Sequence, residues 1–140
     1  MADTLAAYYR ASLEDYSRAH GLSDQSQSIG NQRKVVTEFL RGSKEFSRSR
    51  VLEFIDDGLT GTNTDRPQFQ AMIKAAQQGQ INCIVVKDLS RFGRNYLDVG
   101  DYLEHIFPFL GVRVIAINDG YDSKQYEGKT SGMDIAFRNF

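Results

Sequence analysis

Tyr9-Arg10-Ala11-Ser12 follows one short apolar segment, and Ser90-Arg91-Phe92-Gly93-Arg94-Asn95 follows another. If both segments are strands of an α/β sheet, a serine hydroxyl and several arginines stand at strand ends, where such sheets build their sites. A serine among guanidinium groups suits attack on a phosphate; acyl chemistry would want a histidine base beside it. The guanidinium stays charged and its planar fork grips two oxygens at once, which matches a phosphoryl centre. Positions two apart in an extended segment point the same way, so Arg10 and Ser12 should face one pocket. Arg91 and Arg94, three apart around Gly93, share a face if their segment is helical or turned. Loops after neighbouring parallel strands converge on one crevice, which would bring these arginines to Arg10 and Ser12.

Other residues carry weaker signals. Arg66 stands after a turn-rich loop at a helix start. It is either exposed beside Asp65 or a further phosphate contact, helped by free N–H groups of the helix N-terminus. Gln32 lies near the start of an earlier helix, and nothing local singles it out. Asp88 reads as a surface carboxylate, Tyr9 and Phe92 as packing residues, and His20 and His105 as bystanders with no obvious orienting carboxylate. Asn118-Asp119-Gly120-Tyr121-Asp122 reads as an exposed turn in preference to a metal loop. There is no glycine loop of the Walker type and no dinucleotide fingerprint, so nucleotide hydrolysis and nicotinamide chemistry have little support.

The elements that must position these groups are legible. Thr4–Tyr9, Arg50–Ile55, Ile81–Val86 and Val112–Ile117 read as strands; the third is nearly all apolar, as a parallel strand covered on both faces should be. Ser28–Leu40 carries Ile29, Val36, Phe39 and Leu40 at helical spacing, with Ser28 as N-cap. Arg66–Gln78 presents Phe69, Met72, Ile73 and Ala76, with Asp65 as a cap, Pro67 in the first turn and Gly79 at the end. Tyr96–Leu110 presents Val99, Leu103, Ile106 and Leu110, and Pro108 should kink it or stop it early. Alternating strands and helices predict a three-layer α/β sandwich: a mainly parallel sheet of four to five strands with helices on both faces. Leu13–Gln27 and Asp57–Thr64 read as irregular loops. Thr130–Phe140 reads as the start of a further helix, whose apolar residues run to the last position.

Composition sets the bounds. The 140 residues suit one domain with a single core. No apolar run approaches a membrane span, and Asp3 spoils a signal-peptide reading, so the expectation is a cytoplasmic protein. The formal net charge of −1 argues mildly against a free-standing DNA binder and suggests that most DNA affinity would come from elsewhere in a longer protein. The single cysteine, Cys83, lies in the third strand and should be an inert core thiol. With two scattered histidines, a zinc site is not expected.

Taken in order, four stretches make the chain resemble the serine recombinase family of resolvases, invertases and large integrases or transposases. They are Tyr9-Arg10-Ala11-Ser12, Ser28-Ile29-Gly30-Asn31-Gln32, Gly61-Thr62-Asn63-Thr64-Asp65-Arg66-Pro67 and Lys87-Asp88-Leu89-Ser90-Arg91-Phe92-Gly93-Arg94-Asn95. The resemblance implies a resolvase-like catalytic domain over 1–130 and the start of a C-terminal dimerisation helix over 131–140. It implies that Ser12 is the nucleophile, becoming linked to a 5′ phosphate of DNA. Arg10, Arg66, Arg91 and Arg94 would position the scissile phosphate and stabilise its growing charge, and Gln32 would orient the phosphate or its neighbours. No metal or nucleotide cofactor is expected, since the phosphoserine bond keeps the energy for religation. DNA is the implied partner, and a homodimer would assemble to a tetramer on synapsed sites. Small resolvases typically carry aspartate where Ser90 stands; serine there is more similar to the larger members of mobile elements. The alternatives are a small resolvase or invertase, and a non-catalytic α/β module that binds phosphate or nucleic acid.

Overall fold

The computed structural model describes residues 4–12, 28–58, 66–93 and 95–126, with the backbone alone for Ser12 and Tyr126. Its sheet has five strands: β1 (Thr4–Ser12), β2 (Arg50–Gly58), β3 (Cys83–Val86), β4 (Arg113–Ala116) and β5 (Tyr121–Asp122). Their spatial order is β2-β1-β3-β4-β5. All pairs are parallel except β4–β5, which is antiparallel. The expected turn at 118–122 therefore ends in a short fifth strand.

Period-two alternation sends the apolar residues of β1, β3 and β4 to both faces of the sheet. Leu5, Ala7, Tyr9, Cys83, Val85 and Ile115 pack with Phe46 and with Val36 and Leu40 of α1 (Ile29–Arg41). On the other face Ala6, Tyr8, Ile84, Val86 and Val114 pack with Phe69 and Met72 of α2 (Pro67–Gln77), and with Val99, Leu103 and Phe107. The result is the three-layer arrangement, and Cys83 is a buried free thiol within it. Among the described residues no helix is long and apolar enough to cross a membrane.

Three local departures from expectation matter. First, β1 and β2 each run three residues further than their apolar patterns, in register from Thr4 opposite Arg50 to Ser12 opposite Gly58. On its other side β1 pairs with β3 only as far as Ala7 opposite Val85. Ser12 thus closes a strand, and the stretch of β1 before it has a strand neighbour on one side only.

Second, α2 starts at Pro67, one residue later than expected. Arg66 occupies its N-cap position in the left-handed conformation (φ 51°, ψ 65°) and its side chain makes no capping bond. Asp65, the expected cap, lies outside the described residues.

Third, Pro108 does not end its helix early. The helical run consists of α3 (Tyr96–Asp101), a π-helical turn (Tyr102–Ile106) and α4 (Phe107–Leu110). Proline has no N–H, and its ring would press on the carbonyl four residues back. The wide turn, in which the Phe107 N–H reaches back five residues to the Tyr102 carbonyl, makes the room. Gly111, left-handed at φ 69°, then closes the helix.

Candidate active site

At its far end β1 needs partners that β3 does not supply. Gln32, fully buried on the inner face of α1, supplies them. Its Oε1 accepts from the Arg10 N–H at 3.1 Å and its Nε2 donates to the Arg10 carbonyl at 2.8 Å. One carboxamide thus pairs both peptide groups of a strand residue, as a neighbouring strand would. The Ser28 cap sets where this helix begins, its Oγ accepting from the Asn31 N–H at 3.0 Å. One residue further, Gln32 faces the sheet. Sequence left Gln32 without a local signal because its partner lies 22 positions away.

Arg91 reaches the same carbonyl. It sits in a 3-10 turn, Leu89–Arg91, directly after β3, and is only 3% exposed. Its Nη1 donates to the Arg10 carbonyl at 2.8 Å, and its Nη2 meets Asp88 Oδ2 at 3.2 Å. Burying a guanidinium is costly unless its charge and N–H groups find partners, so these bonds fix the turn against β1. Asp88 is therefore no loose surface carboxylate. It also accepts from the Ser90 N–H at 3.1 Å and from the Ser90 hydroxyl. The signal was present as an aspartate followed two residues later by a serine and three later by an arginine.

Arg66 ties the third element in. Its Nη1 donates to the carbonyls of Phe92 at 2.8 Å and Arg91 at 3.2 Å. Its guanidinium lies 4.1 Å from the centre of the Phe69 ring and 5.9 Å from that of Tyr102. These interactions offset a left-handed backbone that costs a non-glycine residue about 1–3 kcal/mol. Gly93 lets the turn nestle against α3, since a Cβ there would stand 2.6 Å from the Cβ of Asp98.

Of the two readings of Arg66, the one that adds free N–H groups of the helix N-terminus meets a carboxylate already in place there. Asp56 of β2 takes the first amides of α2, Oδ1 accepting from Gln68 N–H and Oδ2 from Phe69 N–H, each at 2.9 Å. Oδ2 also accepts from the Tyr8 hydroxyl at 2.8 Å. Burial, then Asp56, push that hydroxyl far above the ordinary tyrosine range; the charges of Arg66 and Arg10 oppose the shift.

Gln32 and Arg91 meet at the Arg10 main chain, and Arg66 joins them through the Arg91 carbonyl, forming one connected cluster at the ends of β1 and β3, with Ser12 as the last residue of β1. Arg94 lies outside the described residues. Lys87, also buried, donates from Nζ to Asn31 Oδ1 at 2.9 Å and was not singled out by sequence. His105 does have a carboxylate, Asp101 one helical turn earlier at 3.0 Å, though both are exposed. The acids of the 118–122 run are engaged with protein groups: Asp122 with Arg113, and Asp119 with the Leu89 N–H. Among the described residues no group of histidine, cysteine, aspartate or glutamate could hold a metal ion.

Comparison with known proteins shows the family and the fold. Residues 5–135 match the family described as Resolvase, N terminal domain. In structure the chain is similar to the N-terminal catalytic domain of TP901-1 integrase, with a TM-score of 0.70, 20% identity, and coverage of 97% of this chain and 93% of that one. It is similar also to a resolvase family site-specific recombinase from Streptococcus pneumoniae (TM-score 0.68, 21% identity, 97% and 84% covered). A third likeness is the C-terminal catalytic domain of ISC1926 TnpA, an IS607-like serine recombinase (0.56, 20%, 81% and 69%). No curated protein matches the sequence.

Proposed function

The chain belongs to the resolvase family as an N-terminal domain, the catalytic domain of a site-specific recombinase that cleaves and rejoins DNA; from that premise we propose how its residues divide the work. Ser12 is the nucleophile. Its hydroxyl loses its proton as the Oγ–P bond forms, the P–O3′ bond of the DNA strand breaks, and the leaving oxygen ends as a free 3′-hydroxyl. The protein is left joined to the 5′ phosphate, and reversal on a new 3′-hydroxyl reseals the strand.

Arg10, Arg66, Arg91 and Arg94 face the charge that builds on the phosphoryl oxygens. Preorganised donors of this kind are worth roughly 3–4 kcal/mol each in the transition state. Gln32 acts one step back, holding the peptide groups of Arg10. The observation that carries the reading is the meeting of Arg10, Gln32, Arg66 and Arg91 at the end of the strand that Ser12 terminates. We further propose that residues 1–130 form the catalytic unit and 131–140 lead into a dimerisation helix. Dimers would pair as tetramers on two DNA sites in the cytoplasm of a bacterial-type cell, in contact with the nucleoid. Serine at position 90 favours a large recombinase of a mobile element.

The test incubates the intact protein with DNA ends of candidate elements, followed by mass spectrometry of the trapped adduct. A phosphoserine at position 12, absent from Ser12→Ala although that variant still binds DNA, is the expected result. An adduct elsewhere, or cleavage by Ser12→Ala, rules the assignment out.

A further inference from the structure

The loop after β4 reaches over to the arginine turn and lies alongside it. Two backbone bonds begin the contact: Ile117 N–H to the Val86 carbonyl at 3.1 Å and Asn118 N–H to the Lys87 carbonyl at 2.8 Å. The next residue, Asp119, continues it with its side chain, Oδ2 accepting from the Leu89 N–H at 2.7 Å. Leu89 is the first residue of the 3-10 turn that carries Ser90 and Arg91. First-turn amides have no acceptor within their own turn. Here each of the first two has a carboxylate: Asp119 serves Leu89 and Asp88 serves Ser90.

We propose that Asp119 is a positioning residue for DNA cleavage: its carboxylate oxygen fixes the turn that delivers Arg91. The inference rests on the reading of this crevice as the cleavage site. Arg91 spans from that turn to the Arg10 carbonyl, so any shift of the turn moves its guanidinium. Misplacing a catalytic group by about 1 Å can cost on the order of a hundredfold. Asp119 does not belong to the reacting set; it touches the backbone two residues before Arg91. Its site disfavours charge, because burial and nearby Asp88 raise its pKa while the Leu89 N–H only partly offsets them. At 2.7 Å the bond is short, and the oxygen's position is what makes it a tether.

Three variants of the intact protein separate position from charge. Asp119→Asn keeps an acceptor oxygen in place without the charge. Asp119→Glu keeps the charge and moves the oxygen out by one methylene. Asp119→Ala removes both. The readouts are the single-turnover rate of adduct formation at saturating DNA, DNA affinity, and hydrogen exchange at the Leu89 amide. Expected are a cleavage rate down roughly 10–100-fold for Ala and Glu, substantial recovery for Asn, unaltered DNA affinity, and faster Leu89 exchange in Ala and Glu alone. Parent-like cleavage in both Ala and Glu overturns the proposal, as does a parent-like rate in Glu with a loss in Asn. Unaltered Leu89 exchange in Glu overturns it even if Ala fails to fold. If the parent itself forms no adduct, the cleavage reading fails; Leu89 exchange still reports the tether by itself.

Discussion

Arg113, on the β4–β5 side of the sheet, is held by two carboxylates, whereas Arg66, at the strand-end crevice, is held by carbonyls. Arg113 meets Asp122 through Nε at 3.0 Å and Nη2 at 2.7 Å, and Glu45 through Nη1 at 2.6 Å, with its guanidinium 5.1 Å from the Phe46 ring centre. These hydrogen bonds, Asp122 first, raise its pKa beyond the ordinary arginine range. The acceptors described for Arg66 are the Arg91 and Phe92 carbonyls and the Tyr102 hydroxyl. Arg91 stands between the two cases, with one carbonyl and one carboxylate. Geometry is fixed in all three, but neutral oxygens orient a guanidinium without cancelling its charge. Two carboxylates cancel it. An arginine meant to meet a phosphate needs the first kind of support.

The sharpest way to break this contrast is to remove one arginine from each region. Arg91→Ala should slow adduct formation by about 10²–10³-fold, measured in single turnover at saturating DNA. Arg113→Met should leave that rate alone. A comparable drop in both would dissolve the distinction.

Gln32→Leu comes next. It strips the Arg10 peptide of both carboxamide bonds; the carbonyl keeps Arg91, but the N–H is left without this partner, and an unsatisfied buried group costs about 1–3 kcal/mol. A loss near 2 kcal/mol in urea unfolding is expected, together with slower cleavage. A variant as stable as the parent would show that the strand end needs no such partner.

Arg113→Met should lose about 1 kcal/mol by the same measurement, since its pairs are partly screened by solvent. The smallest effect is a pH trend. The raised pKa of Asp119 means that the folded state holds this proton to higher pH than the unfolded chain does. The group therefore favours folding below the ordinary carboxylate range, and that contribution disappears as pH climbs through the raised value. Asp119→Asn lacks this titration. The stability of the parent relative to the variant should fall as pH climbs from the ordinary carboxylate range through the raised value; a difference that rises instead contradicts the assignment.

Sequence legibility followed the range of the interactions. Apolar alternation is local, so the parallel core, both faces of the sheet and the Ser28 cap could be read directly. The reach of β1 to Ser12 could not, because backbone pairing with β2 continues after the apolar pattern ends. Gln32 came in only through the family resemblance, and Asp56 and Asp119 were missed, for one reason: each acts on a backbone group of a distant segment. Side chains that serve main-chain atoms leave no pattern of paired residue types. The strand-end arginines stood out as residue types, yet two of the bonds that hold Arg66 are to carbonyls that composition does not reveal.

The π-helical turn at Tyr102–Ile106 bears on how this protein can change length. Val99, Leu103 and Phe107 recur every four residues and all are buried. A regular helix advances 3.6 residues per turn, so such a row would drift around its axis. The wider turn slows that drift and keeps Phe107 against Phe92, ring centres 5.1 Å apart. Deleting a single residue here would leave Val99 and Phe107 seven positions apart, close to two ordinary turns, so the helix would wind normally and still hold Phe107 on the face that meets Phe92. Trimming one position at this spot is therefore milder than trimming one from a regular stretch of helix, where every later side chain would turn by about 100°.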